Sequence, residues 1–201
     1  MGRVAGRTRD TREVSLVLSC SQWGPEFDHE DHGSPSTLIG RRGEEDMLTA
    51  TAPFRVSAMP LTFLRDLLGF RGAVHFVLEP LGDSADGVFA HLRCTDTAWL
   101  SGDRRVDNLS LLVTTPGVFW PNYEVRVDQT MVDELGLSQP GDVGLLAIVR
   151  SRHPLTTSTV NLYSPIVFNR RTGQADQLVP RISEQEVGWS LRTPFPSEPD
   201  A

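Results

Sequence analysis

The sequence contains no lysine, and all 19 of its basic residues are arginine. Set against 26 acids, they leave a formal charge of -7, which argues against a chain that grips nucleic acid by neutralising its phosphates. An acidic surface of this kind repels RNA or meets a basic partner. Genome composition is the economical explanation of the missing lysines. Cysteine is scarce too. Cys20 and Cys94 lie far apart, and Cys20 falls in a stretch expected to be unfolded, so a disulfide framework is not expected. No apolar run approaches the roughly 18 residues that span a bilayer. The basic start, then VSLVL and Ser19-Cys20, has the outline of a lipoprotein signal. Its apolar stretch of about five residues falls short of the roughly 7–15 such a signal needs. A cytoplasmic protein without membrane contact is expected.

Reactive constellations are equally thin. The glycines show neither GxGxxG nor P-loop spacing. No pair of carboxylates is bracketed by apolar residues that would split their pKa values. FDHEDH, with His29 and His32, offers imidazole and carboxylate ligands, but in a glycine-flanked run that does not preorganise a metal site. HLRCTD holds His91, Cys94 and Asp96 and invites a cysteine-nucleophile reading. In a strand, however, His91 and Cys94 point to opposite faces, with Leu92 and Cys94 toward the core and His91 and Arg93 toward solvent. The expectation is no enzyme, no cofactor and no metal.

What is present is a long series of short apolar runs. Residues 1–46 stand apart, dense in Gly, Pro, Ser and acid, with six Arg against nine acids; they are expected to be disordered, and Met47 is a candidate start. FRVSAM alternates loosely. AVHFVLEPL reads as a strand ending at Pro80, VFAHLRC as a second, and NLSLLVTTP as a third ending at Pro116, with TDTAWLSGDRRVDN mostly loop before it. YEVRV alternates, placing Tyr123, Val125 and Val127 on one face. In DQTMVDELGL the period changes to that of a short helix, capped in front by Asp128 or Thr130 and behind by Gly136. VGLLAIVR is apolar throughout and should be covered on both faces. TVNLYSPIVFNRRTGQADQL is a hairpin turning at Asn169–Gly173. The fold class expected is mostly β, an antiparallel barrel or sandwich with one short helix, over residues 47–190, followed by a flexible tail at 191–201.

Two stretches favour interaction over chemistry. PGVFWPNYE sets Phe119, Trp120 and Tyr123 between prolines, in a segment expected to be non-helical, so the aromatics are held on a stiff loop. Rigid aromatics often form the energetic centre of an interface; the competing reading is that Phe119 and Tyr123 plug one end of the barrel. Pro165 cannot donate to a ladder, so its strand is an edge or carries a bulge there. Asn161 is either a contact residue or an amide tying that bulge to the backbone.

The stretch GVFWPNYEVRVDQTMVDELGLSQPGDVGLLAIV followed by TVNLYSPIVFNRRTGQADQLV resembles the FliW family of bacterial flagellar assembly factors. The matching positions are Pro121, Tyr123, Glu124, Leu135, Gly136, Asp142, Val160, Asn161, Leu162, Pro165, Ile166, Val167 and Gly173, with Gln174 or Gln177. Upstream, Phe63, Leu67, Gly69 and Phe70 resemble the family's first element. Arg65 and Asp66 stand where a family glycine is expected, and SGDRRVDN at 101–108 resembles an insertion. The resemblance implies two protein partners. These are flagellin before export and, once flagellin is secreted, the RNA-binding repressor CsrA, whose repression of flagellin translation is then relieved. It implies a monomer with no direct nucleic-acid contact. Candidate contact residues are Phe119, Trp120, Tyr123, Asn161, Tyr163, Pro165 and Ile166. The alternative is a module of the same fold with different partners.

Overall fold

The computed structural model describes residues 15–19, 56–82, 88–97, 100–101, 104–105, 108–154, 157–181 and 188–196. The strands in chain order are β1 (Ser15–Ser19), β2 (Met59–Phe63), β3 (His75–Pro80), β4 (Phe89–Cys94), β5 (Leu100–Ser101), β6 (Arg104–Arg105), β7 (Ser110–Thr114), β8 (Glu124–Asp128), β9 (Val143–Arg150), β10 (Thr159–Asn169), β11 (Gln174–Gln177) and β12 (Thr193–Pro194). Two short helices, α1 (Pro116–Phe119) and α2 (Gln129–Leu135), flank β8.

Strands β2-β3-β4-β7-β9-β10-β11 pair in that order, and β11 returns to β2, closing a seven-stranded barrel. All pairings are antiparallel except β11 with β2. Closure leaves the barrel no free sheet edge along most of its rim. Alternate residues fill the interior: Leu61 and Phe63, Phe76 and Leu78, Ala90, Leu92 and Cys94, Val113, Leu146, Ile166 and Phe168. A second core lies outside the barrel wall. Val143, Leu145, Ala147 and Val149 of β9 and Val160, Leu162 and Val167 of β10 pack against Tyr123, Val125 and Val127, and against Met131, Val132 and Leu135 of α2. This is why VGLLAIV is apolar at every step before the exposed Arg150: one side of β9 meets the barrel interior and the other meets the β8–α2 layer.

The local signals for β8 and α2 translate directly. Val125 and Val127 are buried while Glu124 and Arg126 are exposed. Asp128 caps α2, its carboxylate accepting from Met131 N at 2.9 Å. Gly136 ends the helix at φ 62°, the left-handed conformation that suits glycine. Asn169 then fastens the helix end to the hairpin. Its Nδ2 donates to Leu135 O at 2.9 Å and Gly136 O at 3.0 Å, while its Oδ1 accepts from Arg171 N at 2.9 Å and Thr172 N at 3.2 Å.

Three expectations are corrected. PGVFWP is not wholly non-helical: Pro116 opens a helical turn at its first position, where its missing N–H costs nothing. The turn ends at Trp120 because a residue preceding proline disfavours the helical region. Within the stretch 95–108, expected to be mostly loop, the described residues include the two-residue strands β5 and β6, which pair antiparallel. Ser15–Ser19, inside the segment expected to be disordered, pairs antiparallel with β8; the rest of 1–46, with FDHEDH and Met47, lies outside the described residues. Within the flexible tail expected at 191–201, Thr193–Pro194 forms β12 and Phe195 packs against the outer core, while 197–201 lie outside the described residues.

Gly144 on β9 faces the Phe168 ring so closely that a Cβ would stand 2.3 Å from it. Gly144→Ala should therefore cost about 1–3 kcal/mol by overpacking, read as a lowered denaturation midpoint with an unchanged m-value.

Candidate protein-docking surface

The candidate contact residues gather around one feature of β10. Along β9, its register runs Asn161↔Ile148 and then Ile166↔Leu146, so β10 advances five residues while its partner advances two. The excess is odd, and it exchanges the faces of the strand. Val160 and Leu162 point to the outer core, whereas Ile166 and Phe168 point into the barrel. Pro165 sits in this bulge, where a missing N–H is tolerated.

Backbone groups freed by the bulge are taken up one by one. Asn161 Oδ1 accepts from Ser164 N at 3.0 Å, and Tyr123 OH donates to Leu162 O at 2.7 Å. Gln177 Nε2 donates to Ser164 O at 3.2 Å, and Leu178 N donates to Pro165 O at 2.9 Å. The Ser164 hydroxyl donates to Leu178 O. Leu162 N donates to Ser190 O at 3.1 Å, which brings in the C-terminal segment. Asn161 is thus the amide that ties the bulge. Tyr123, Pro165 and Ile166 are buried and act as scaffold, while Phe119, Trp120, Asn161 and Tyr163 are partly exposed.

Beside the bulge lies a half-buried aromatic cluster. Phe119 contacts Trp120 and Phe89 at ring-centroid distances of 5.7 Å each. Phe195, from just beyond β12, sits among them at 5.0 Å from Phe119, 5.7 Å from Trp120 and 6.0 Å from Phe89. Trp189 stacks edge-on to Tyr123 at 5.0 Å. Phe89, Trp189 and Phe195 were not foreseen as part of this surface. Phe89 looks like an ordinary strand residue in VFAHLRC, and the two C-terminal aromatics fall in a stretch with no period.

The HLRCTD residues come together differently from a nucleophile and its base. His91 is exposed and Cys94 buried, on opposite faces of β4. Cys94 Sγ lies 3.9 Å from Asp96, and burial, then the Asp96 charge, pushes the thiol above its ordinary range. That disfavours the thiolate a nucleophile needs. Asp96 accepts from Val74 N at 2.7 Å, from His75 N at 2.8 Å, and pairs with His75 Nδ1 at 2.8 Å. Burial alone would raise the Asp96 carboxyl, but those hydrogen bonds hold it below its ordinary value. Among the described residues no group of three or more His, Cys, Asp or Glu is placed to hold a metal ion, and no helix is long and apolar enough to cross a membrane.

Arg65, in the loop after β2, joins three elements. It pairs with Glu134 of α2 at 2.6 Å and with Asp176 of β11. Asp176 is nearly buried, and desolvation pushes its carboxyl up despite the Arg65 charge.

The class that this architecture defines is a closed, largely antiparallel seven-stranded barrel with an outer β–helix layer and an aromatic surface beside a bulged strand. The family model of the FliW protein matches residues 49–194, and the chain belongs to that family. The flagellar assembly factor FliW of Bacillus licheniformis is 34% identical over 119 residues, covering 59% of this chain and 76% of that protein. Its counterpart in Bacillus subtilis strain 168 is 30% identical over the same coverage. A crystal structure of the flagellar assembly factor FliW superposes with a TM-score of 0.56 at 23% identity, covering 69% of this chain and 87% of the other.

Two outcomes follow. Asn161→Ala should destabilise the barrel by about 1 kcal/mol through the unpaired Ser164 N–H, whereas Asn161→Asp, which keeps the acceptor, should recover most of it in urea unfolding. Because the folded Asp96 carboxyl is depressed, its contribution is complete above the ordinary carboxylate pKa of about 4 and is lost as pH falls through the lower folded value. Asp96→Asn should therefore unfold more easily at pH 7 and lose less stability than the parent on acidification below about pH 4.

Proposed function

We propose that this protein is a cytoplasmic, monomeric flagellar assembly factor that works by docking, not by catalysis. It binds flagellin and, when free of it, binds CsrA and relieves repression of flagellin translation. The observation that carries this reading is the aromatic surface at Phe119 and Trp120 beside the β10 bulge, in a chain of FliW ancestry with a charge of -7. Half-buried aromatics on a proline-framed turn lose little side-chain entropy on binding, which suits the centre of an interface. The acidic field favours a basic partner and disfavours the RNA that partner would carry. Asn161 and Tyr163, on the same strand at the bulge, are further candidate contacts.

Titration calorimetry of the purified chain with monomeric flagellin, and separately with CsrA, should give dissociation constants of micromolar or tighter. Saturating flagellin should block CsrA. Trp120→Ala should weaken binding at least about tenfold, the size expected for an aromatic at an interface centre. Absence of binding to either protein at micromolar concentration overturns the reading.

A further inference from the structure

The aromatic surface is not open in the folded chain. Residues 189–195 lie across it and use two kinds of contact at once. Trp189 stacks on Tyr123 and Phe195 fills the space among Phe89, Phe119 and Trp120. Between these anchors, Thr193–Pro194 adds a short strand to β10 at Val160 and Thr159, on the stretch of edge that β11 leaves uncovered. An aromatic pocket beside a sheet edge is the arrangement by which folded domains capture peptides through strand addition. Here the peptide is part of the same chain.

We propose that this groove is a docking site for an aromatic-bearing peptide segment of a partner protein, and that Trp189–Phe195 is its built-in competitor. The proposal rests on the docking reading above and adds how that site is regulated. Three features mark the occupant as replaceable. Its strand is only two residues long. Pro194, opposite Thr159, has no N–H to offer the edge. The Thr159 hydroxyl is buried with no hydrogen-bond partner among the described residues. An incoming segment with an aromatic in place of Phe195 and a non-proline residue in place of Pro194 could make the same apolar contacts and add a donor. Since a partner binds only the fraction of molecules whose segment is lifted, the segment lowers apparent affinity by that fraction.

The test uses the full chain and a labelled synthetic peptide, GWSLRTPFP, corresponding to residues 188–196. Fluorescence anisotropy should show saturable capture of the peptide by the Trp189→Ala/Phe195→Ala variant and at least tenfold weaker capture by the parent. Adding Phe119→Ala to the variant should abolish capture. Equal capture by parent and variant, or none by a variant whose circular dichroism shows it folded, overturns the proposal. If the double variant does not fold, hydrogen exchange on the unmodified chain decides. Saturating flagellin or CsrA should accelerate exchange at the Arg192 and Thr193 amides, and unchanged exchange in a confirmed complex refutes displacement. Failure of the broader reading looks different: neither protein binds any variant, while capture of the peptide still reports on the groove.

Discussion

The bulge at Asn161–Pro165 is the constraint on which the remaining architecture turns. β10 is the longest strand and serves three neighbours, β9 along its length, β12 at its start and β11 at its end. A regular strand would keep one parity throughout and could supply either the barrel interior or the outer layer with its even-numbered residues. By inserting an odd excess, the bulge lets Leu162 feed the outer core and Ile166 and Phe168 the inner one. The price is a run of backbone groups outside the ladder, and the structure meets it with side chains from several elements: Tyr123 from the segment leading into β8, Gln177 from β11, and Asn161 and Ser164 from the bulge itself. The layers are therefore coupled. Removing one acceptor disturbs the barrel and the β8–α2 layer together, because the same bond set holds both.

Much of this was legible in the residues because the physics is local. The alternation of YEVRV needs only a half-buried strand, and the αL cap at Gly136 needs only a helix ending there. Pro165 forces an exception to the ladder, and the structure resolves the choice between edge and bulge in favour of a bulge, with Asn161 tying it. What stayed hidden depends on contacts distant in sequence. Nothing in VSLVL indicates that Ser15–Ser19 would find β8, more than a hundred positions away. Phe195 is likewise unreadable as a packing residue until β12 places it beside Phe119. The aromatic surface was half visible: Phe119 and Trp120 announce themselves between prolines, whereas Tyr123 proves to be a buried scaffold residue whose hydroxyl works inward.

Arg65 shows how one exposed side chain can fasten a loop to distant elements. Its guanidinium reaches Glu134 and Asp176, linking the loop after β2 to α2 and to the strand that closes the barrel. Asp176 is the costly member, because a nearly buried carboxylate without its cation is strongly disfavoured. The guanidinium suits this role better than an ammonium, since its planar fork addresses two carboxylates at once.

The exclusive docking we propose has a simple physical basis in such a surface. The stretch of β10 not paired with β11 is only a few residues long, bounded on one side by the bulge and at its end by the start of the strand, so it can accept one added strand at a time. The aromatic pocket is similarly sized: one ring, that of Phe195, already touches all three walls. Two partners that each need this pocket must compete, and each must also compete with the chain's own segment. The proposed internal competitor would set a threshold, because a partner would engage only when its contacts exceed those of the short, proline-bearing strand it replaces. A protein that must release one partner before taking another gains from such a resident, since the groove recloses when a partner leaves and its apolar walls are not left exposed.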